Sequence, residues 1–198
     1  PRFNIAPTQA VPVVRIDPRQ PETGRQLVAL RWGLIPAWAK DPAIGNRMIN
    51  ARAETVAAKP AYRAAFRRRR CLVPADGFYE WQTVAGKKQP HFIHIADHRP
   101  FALAGLWESW EGPDQARIES FTILTTEPND VVRTIHNRMP VILDQTDYDL
   151  WLDPAVGEAD VLTPLLIPYP PDSMSGYPVS PEVNNARHQD PSCVEPIR

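Results

Sequence analysis

Gly77-Phe78-Tyr79-Glu80-Trp81-Gln82 is followed by Ala85-Gly86-Lys87-Lys88 and then by His91-Phe92-Ile93-His94-Ile95. Two short runs rich in aromatic and β-branched residues flank a glycine turn signal, so the spacing predicts a β-hairpin. Runs of the same kind recur on both sides of it, at 11–16, 27–34, 101–107, 121–126 and 177–180, and read as further strands. Helical patterns are fewer: 53–66, interrupted at Pro60; 129–135; and a segment after Asp144 in which Thr146 and Asp149 resemble an N-terminal capping arrangement. No period of about 20–50 residues repeats, and nothing resembles an interdomain linker. The expected fold is α+β, a single domain over residues 1–198 built on a curved, mostly antiparallel β-sheet or open barrel with a few inserted helices.

Composition agrees with one packed domain. The chain has 198 residues, of which 43% are hydrophobic, enough for a sizeable core. Its 23 prolines are spread among six Trp, six Phe and five Tyr, which predicts rigid loops on a compact fold rather than proline-rich disorder. Twenty-two basic residues against twenty-three acidic ones give no bulk attraction for nucleic acid, so any basic surface must be local. Only Cys71 and Cys193 are present, too few for a disulfide framework or a Cys-x-x-Cys metal knuckle. No window approaches the ~20 apolar residues of a membrane span, and Pro1-Arg2-Phe3-Asn4 opens no signal peptide. The expectation is a cytoplasmic protein with no membrane partner.

Three polar residues stand out in otherwise apolar, structured sequence. Asn50, in Ile49-Asn50-Ala51-Arg52-Ala53-Glu54-Thr55, brings an amide and the Arg52 guanidinium close together before a helical pattern; a helix cap is the ordinary alternative. Glu80 lies among aromatics on the first hairpin strand, where alternation puts Tyr79 and Trp81 on one face and Phe78 and Glu80 on the other. A carboxylate half-desolvated there suits acid–base work, whereas a solvent-facing strand glutamate is the plain reading. His136 ends a short helix in Thr134-Ile135-His136-Asn137-Arg138-Met139-Pro140 and could be structural, or could meet an anion beside Arg138.

Other patterns carry less. His91, His94 and His98 suggest a metal, yet strand alternation turns His91 and His94 to opposite faces, so no metal is expected. Arg67 to Arg70 reads as a solvated face at a helix end, with a phosphate-contacting rim as the alternative. The sequence contains no Gly-x-Ser-x-Gly elbow, phosphate loop or His-Glu-x-x-His, and no cofactor is expected.

Taken in order, Arg2-Phe3-Asn4-Ile5-Ala6-Pro7-Thr8, Arg31-Trp32-Gly33-Leu34-Ile35-Pro36, the Asn50 and Glu80 segments, Ile135-His136-Asn137-Arg138-Met139-Pro140 and Pro178-Val179-Ser180 through Val183-Asn184-Asn185 closely resemble the SOS-response-associated peptidase (SRAP) family. The resemblance implies a monomeric, nucleoid-associated protein that senses abasic sites in single-stranded DNA. It would bond to the exposed sugar aldehyde through an N-terminal cysteine freed by autoproteolytic removal of the initiator methionine. An α-amine of pKa about 7.7–8.0 is roughly a tenth neutral at pH 7 and forms an imine, which the adjacent thiol closes to a thiazolidine. By the same resemblance Asn50 would hold the cysteine or sugar, Glu80 would move protons, and His136 would assist ring opening. Arg52 and Arg138 would contact flanking phosphates. Trp38 would stack on a neighbouring base, with a rim aromatic covering the core as its alternative.

One departure is plain: the family start, Met-Cys-Gly-Arg-Phe, has no counterpart here, and Arg2-Phe3-Asn4-Ile5-Ala6-Pro7 matches a segment downstream of that start. The expectation is that a segment bearing the nucleophile precedes Pro1 and that the chain as given does not crosslink. Cys71 is no substitute, since an internal cysteine has no α-amine. The competing functions are a non-covalent reader of single-stranded or modified DNA and a peptidase acting on other proteins.

Overall fold

A computed structural model of the protein describes residues 1–113 and 116–197. Its strands are β1 (Ala10–Arg15), β2 (Gln26–Trp32), β3 (Asn50–Arg52), β4 (Arg70–Ala75), β5 (Phe78–Val84), β6 (Lys87–Ile95), β7 (Phe101–Glu111), β8 (Arg117–Thr126), β9 (Met139–Pro140), β10 (Ile142–Leu143) and β11 (Met174–Pro178). Among the described residues five short α-helices are inserted: α1 (Ala53–Val56), α2 (Arg63–Arg68), α3 (Asp130–Arg133), α4 (Tyr148–Leu152) and α5 (Ala159–Leu162). The expected α+β domain is present, as an 8-stranded sheet and a 3-stranded one.

The large sheet closes on itself. β7 pairs with β4, β4 with β1, β1 with β2, β2 with β8, and β8 returns to β7. All of these pairings are antiparallel except β2 with β8, and β3 then takes over the same edge of β8, also in parallel. The sheet is therefore a barrel with two parallel joints.

Alternation along the barrel strands divides the apolar residues between two cores. Leu103 and Trp107 of β7, Cys71 and Val73 of β4, and Phe121 and Ile123 of β8 point inward with Val11, Val13 and Leu30. Their neighbours Ala104, Leu106, Leu72 and Leu124 point outward and are covered by Val56, Phe66, Trp151 and Leu162 of the helices. Burial on both faces is why these strands read as unbroken apolar runs.

The hairpin predicted at 78–95 is β5 and β6, with Val84 paired to Lys87. Ala85 (φ 47°) and Gly86 (φ 78°) form the turn, both left-handed as a two-residue hairpin loop demands. β11 adds to the other edge of β6. One face of this sheet, carrying Phe78, Ile93, Ile95 and Met174, packs onto the barrel's inner core. Gly77 enters it at close quarters: a Cβ there would lie 2.2 Å from the Phe92 ring.

The 53–66 pattern is broken around Pro60, as expected, into α1 and α2. Other local expectations are corrected. Asn50 caps nothing; it opens a three-residue strand, and Arg52 occupies the cap position of α1 without a side-chain bond. After Asp144 the cap is Asp144 itself, whose carboxylate accepts the Thr146 N–H at 2.9 Å. The arginine run is not uniformly solvated. Arg67 and Arg68 are exposed, Arg69 pairs with Glu108 at 2.7 Å, and Arg70 is 1% exposed. Arg70 donates to the carbonyls of Trp151 (2.6 Å), Phe66 (2.7 Å), Val156 (2.8 Å) and Asp153, closing the ends of α2 and α4. Burial lowers its pKa to about 10, which leaves it charged at neutral pH.

Candidate active site

β5 presents Glu80 and Gln82 on one face and Tyr79 and Trp81 on the other, as alternation requires. The Tyr79 and Trp81 face is covered by the two ends of the chain. Tyr79 donates its hydroxyl to Phe3 O (2.7 Å), and Trp81 donates Nε1–H to Asn184 Oδ1 (2.8 Å). Glu80 is left on the barrel side, its side chain 21% exposed, with Oε2 3.5 Å from Nδ1 of His136. Desolvation raises the Glu80 pKa above the usual carboxylate range, an effect the neighbouring His136 and the Trp81 backbone hydrogen bond only partly offset.

His136 reaches Glu80 because of how α3 ends. Asn129 caps the helix, accepting Val132 N–H at 3.0 Å, and the His136 N–H donates back to Val132 O at 2.8 Å. The imidazole therefore leaves from the last turn. Gln82 fixes that turn from β5 by donating Nε2–H to Thr134 O at 2.7 Å. Past the turn, β9 pairs with the end of β8, Pro140 opposite Thr125. On the other edge of β8, Thr125 pairs with Arg52 of β3. The His136 segment and the Asn50–Arg52 strand thus meet at one end of the barrel.

Asn50 and Arg52 share the exposed face of β3, and neither side chain has a hydrogen-bond or ion-pair partner among the described residues. Arg138 differs from Arg52. Its guanidinium donates to both Glu54 oxygens (2.5 and 3.0 Å) and to Thr125 O (2.5 Å). The Arg138 charge holds the Glu54 carboxyl below the usual carboxylate range. Trp38 is 62% exposed, so it does not cover the core. Its loop is pinned around it, by Ile35 N–H to Ser120 Oγ (2.8 Å) and Trp110 Nε1–H to Ala39 O (2.7 Å). The loop closes where Leu34 N–H donates to Met48 O at 3.1 Å, two residues before Asn50.

The structure brings Glu80 and His136 into contact and sets Arg138 behind His136; among the described residues no hydrogen bond or ion pair joins Asn50, Arg52 or Trp38 to that pair. Sequence reasoning missed Gln82 and Glu54. Gln82 follows from period-two alternation one step beyond Glu80, while Glu54 carried no signal apart from its motif. His91 stands opposite Glu80 in the β5–β6 register, and His94 lies on the other face, stacked on His98 at 4.3 Å. Both cysteines are buried, and burial pushes the Cys71 thiol far up, which removes it as a nucleophile.

A desolvated carboxyl against an imidazole can exchange a proton with it, and the open amide and guanidinium on β3, at the same end of the barrel, can hold a polar, anionic substrate. Fold and site together define a small closed-barrel domain with a carboxyl–imidazole pair at one barrel end. The family model of the SOS response associated peptidase (SRAP) matches residues 1–186, and the chain belongs to that family. The abasic site processing protein YoqW of Bacillus subtilis (strain 168) is 43% identical over 196 residues, 98% of this chain and 86% of that protein. The abasic site processing protein HMCES of Xenopus tropicalis is 34% identical over 224 residues, 100% of this chain and 66% of that protein. A solved structure of a protein from Bacteroides thetaiotaomicron superposes with a TM-score of 0.86 at 28% identity, covering 96% of this chain and 82% of that one. No helix among the described residues is long and apolar enough to cross a membrane.

Proposed function

We propose that this protein processes abasic sites in DNA, capturing the ring-opened sugar aldehyde of a single-stranded lesion as a thiazolidine on an N-terminal cysteine. The observation that carries the reading is Glu80 against His136 at 3.5 Å with its carboxyl pKa raised. Imine formation joins the α-amine nitrogen to the aldehyde carbon and expels water, so a group must deliver a proton to the departing oxygen. Glu80 keeps its proton to a higher pH than an ordinary glutamate and takes that part. The thiol then adds to the imine carbon and its proton passes to nitrogen. His136 assists opening of the sugar ring, and Asn50 holds the cysteine or the sugar. Neither Cys71 nor Cys193 can be that nucleophile, since both are buried and neither has an α-amine. Autoproteolytic removal of the preceding methionine uses the same Glu80 proton transfer.

The test is denaturing electrophoresis of the protein bearing its N-terminal cysteine, after incubation with an abasic single-stranded oligonucleotide. A denaturant-resistant adduct that Glu80→Ala and His136→Ala slow is the expected result; no adduct at all refutes the reading. A second reading, a non-covalent reader of single-stranded DNA, draws on the unpaired Arg52 and the 62% exposed Trp38. It predicts steeply salt-dependent binding with no adduct.

A further inference from the structure

His136 is held against Glu80 by a chain of contacts that starts at a residue with no part in the scheme above. Glu54, in the first turn of α1, takes two N–H groups of Arg138 in a bidentate pair at 2.5 and 3.0 Å. A third goes to Thr125 O at 2.5 Å, and Arg138 Nε is buried without a partner among the described residues. The guanidinium is thereby tied to α1 and β8 at once, in the fork geometry that fixes arginine most firmly. The main chain of the same arginine holds the imidazole. Arg138 N–H donates to His136 Nδ1 at 3.2 Å, and Nδ1 lies 3.1 Å from Arg138 O and 3.5 Å from Glu80 Oε2. A continuous path therefore runs from Glu54 through the Arg138 side chain and backbone to the edge of His136 that faces Glu80.

We propose that Glu54 is a positioning residue: by locking Arg138 it fixes the Nδ1 edge of His136 against Glu80. The inference rests on Glu80 and His136 being the proton-transfer pair. It also ties three N–H groups of Arg138 to Glu54 and Thr125 within the protein. A glutamate placed only to complement the dipole of α1 would not need both oxygens on one guanidinium, and α1 has four residues and a correspondingly small dipole. The charged and titratable groups around the imidazole are Glu80, with His91 opposite it in register, and Arg138, with Glu54 and Arg52 beyond it.

The experiment compares Glu54→Gln and Glu54→Asp with the parent in the full chain bearing its N-terminal cysteine. Three quantities are read: the rate of adduct formation on abasic single-stranded DNA, the Kd for the same oligonucleotide without the lesion, and the His136 ring titration by NMR. Because misplacing a reacting group by about 1 Å can cost on the order of 100-fold, Glu54→Gln should slow adduct formation by about 10-fold or more while Kd stays within about 2-fold. Its His136 titration should shift, and Glu54→Asp, which keeps the charge, should recover part of the rate and of the titration. Glu54→Gln with unchanged rate and titration overturns the proposal. So does tighter DNA binding at full rate, which would make Glu54 a competitor of phosphate for Arg138. If the parent forms no adduct, the proposed function fails, and the His136 titration still decides the positioning role.

Discussion

Glu80 carries a conflict that pH exposes. Desolvation raises its folded pKa above the unfolded value, so the folded protein binds this proton more tightly than the unfolded chain does. The stability linked to that proton is fully present below the unfolded pKa and is lost as pH rises through the folded one. Glu80→Gln removes the buried charge while keeping the shape. It should raise Tm by a few degrees at neutral pH, and the gain should vanish in acid, where Glu80 is protonated too; calorimetry across pH measures both limbs. The same variant should lose adduct formation, an exchange of activity for stability common at sites that hold desolvated charge. An equal Tm gain at every pH would place its cause elsewhere than in ionisation. Alternation in the sequence was enough to separate Glu80 from Tyr79 and Trp81. Its contact with His136 was expected only through the order of motifs and not from any local pattern, because His136 lies 56 residues away and meets it only through α3 and the barrel end.

At the scale of the element, the β5–β6 hairpin that positions Glu80 depends on two left-handed residues, Ala85 at φ 47° and Gly86 at φ 78°. An L residue in that conformation costs about 1 kcal/mol, and glycine carries no such penalty. Gly86→Ala should therefore destabilise the protein by about 1 kcal/mol, whereas Ala85→Asn, whose side chain tolerates this region, should stabilise it by a few tenths to about 1 kcal/mol. Urea unfolding with an unchanged m-value would confirm both, and a neutral Gly86→Ala would show that the turn does not set the register. This hairpin was readable because its signals are local: a glycine turn and two β-rich runs. β3 was not. Three residues, two of them polar and exposed, leave no periodic pattern, and what makes them a strand is the free edge of β8 left where β2 departs. Arg70 was misread for a related reason. Nothing near it in sequence announces the carbonyls of Trp151, Asp153 and Val156 that it satisfies.

Across the whole molecule, charge is nearly balanced at −1, so contact with DNA must be local. With Arg138 bound to Glu54, Arg52 and Trp38 are the exposed pair flanking Asn50 in sequence. Arg52→Ala should lower the slope of log Kd against log salt by about 0.7, the value for one phosphate on a single strand. Trp38→Ala should weaken binding by about 1–3 kcal/mol with the slope unchanged, as loss of one stacked base predicts. The other whole-molecule feature is the stitching of the two chain ends across the outer face of β5 and β6. Asn4, 5% exposed, donates to Val183 O (2.9 Å) and Asn185 O (3.1 Å), and Gln189 bonds its main chain on both sides. Tyr79 secures Phe3 and Cys193 from beneath. The segments on both sides of this join were visible in the sequence as matching motifs, but their contact spans 179 and 181 residues and no local rule announces it. If this join sets where the start of the chain lies relative to Glu80, loosening it should impair chemistry without impairing DNA binding. Asn4→Ala should speed amide exchange at residues 3–5 and 183–189 by more than about 10-fold, as local opening does, while the barrel amides stay protected. In the protein bearing its N-terminal cysteine it should also slow adduct formation, with the Kd for intact single-stranded DNA unchanged. Faster exchange with an unaltered adduct rate would reduce the join to a stabilising clasp and separate it from the site.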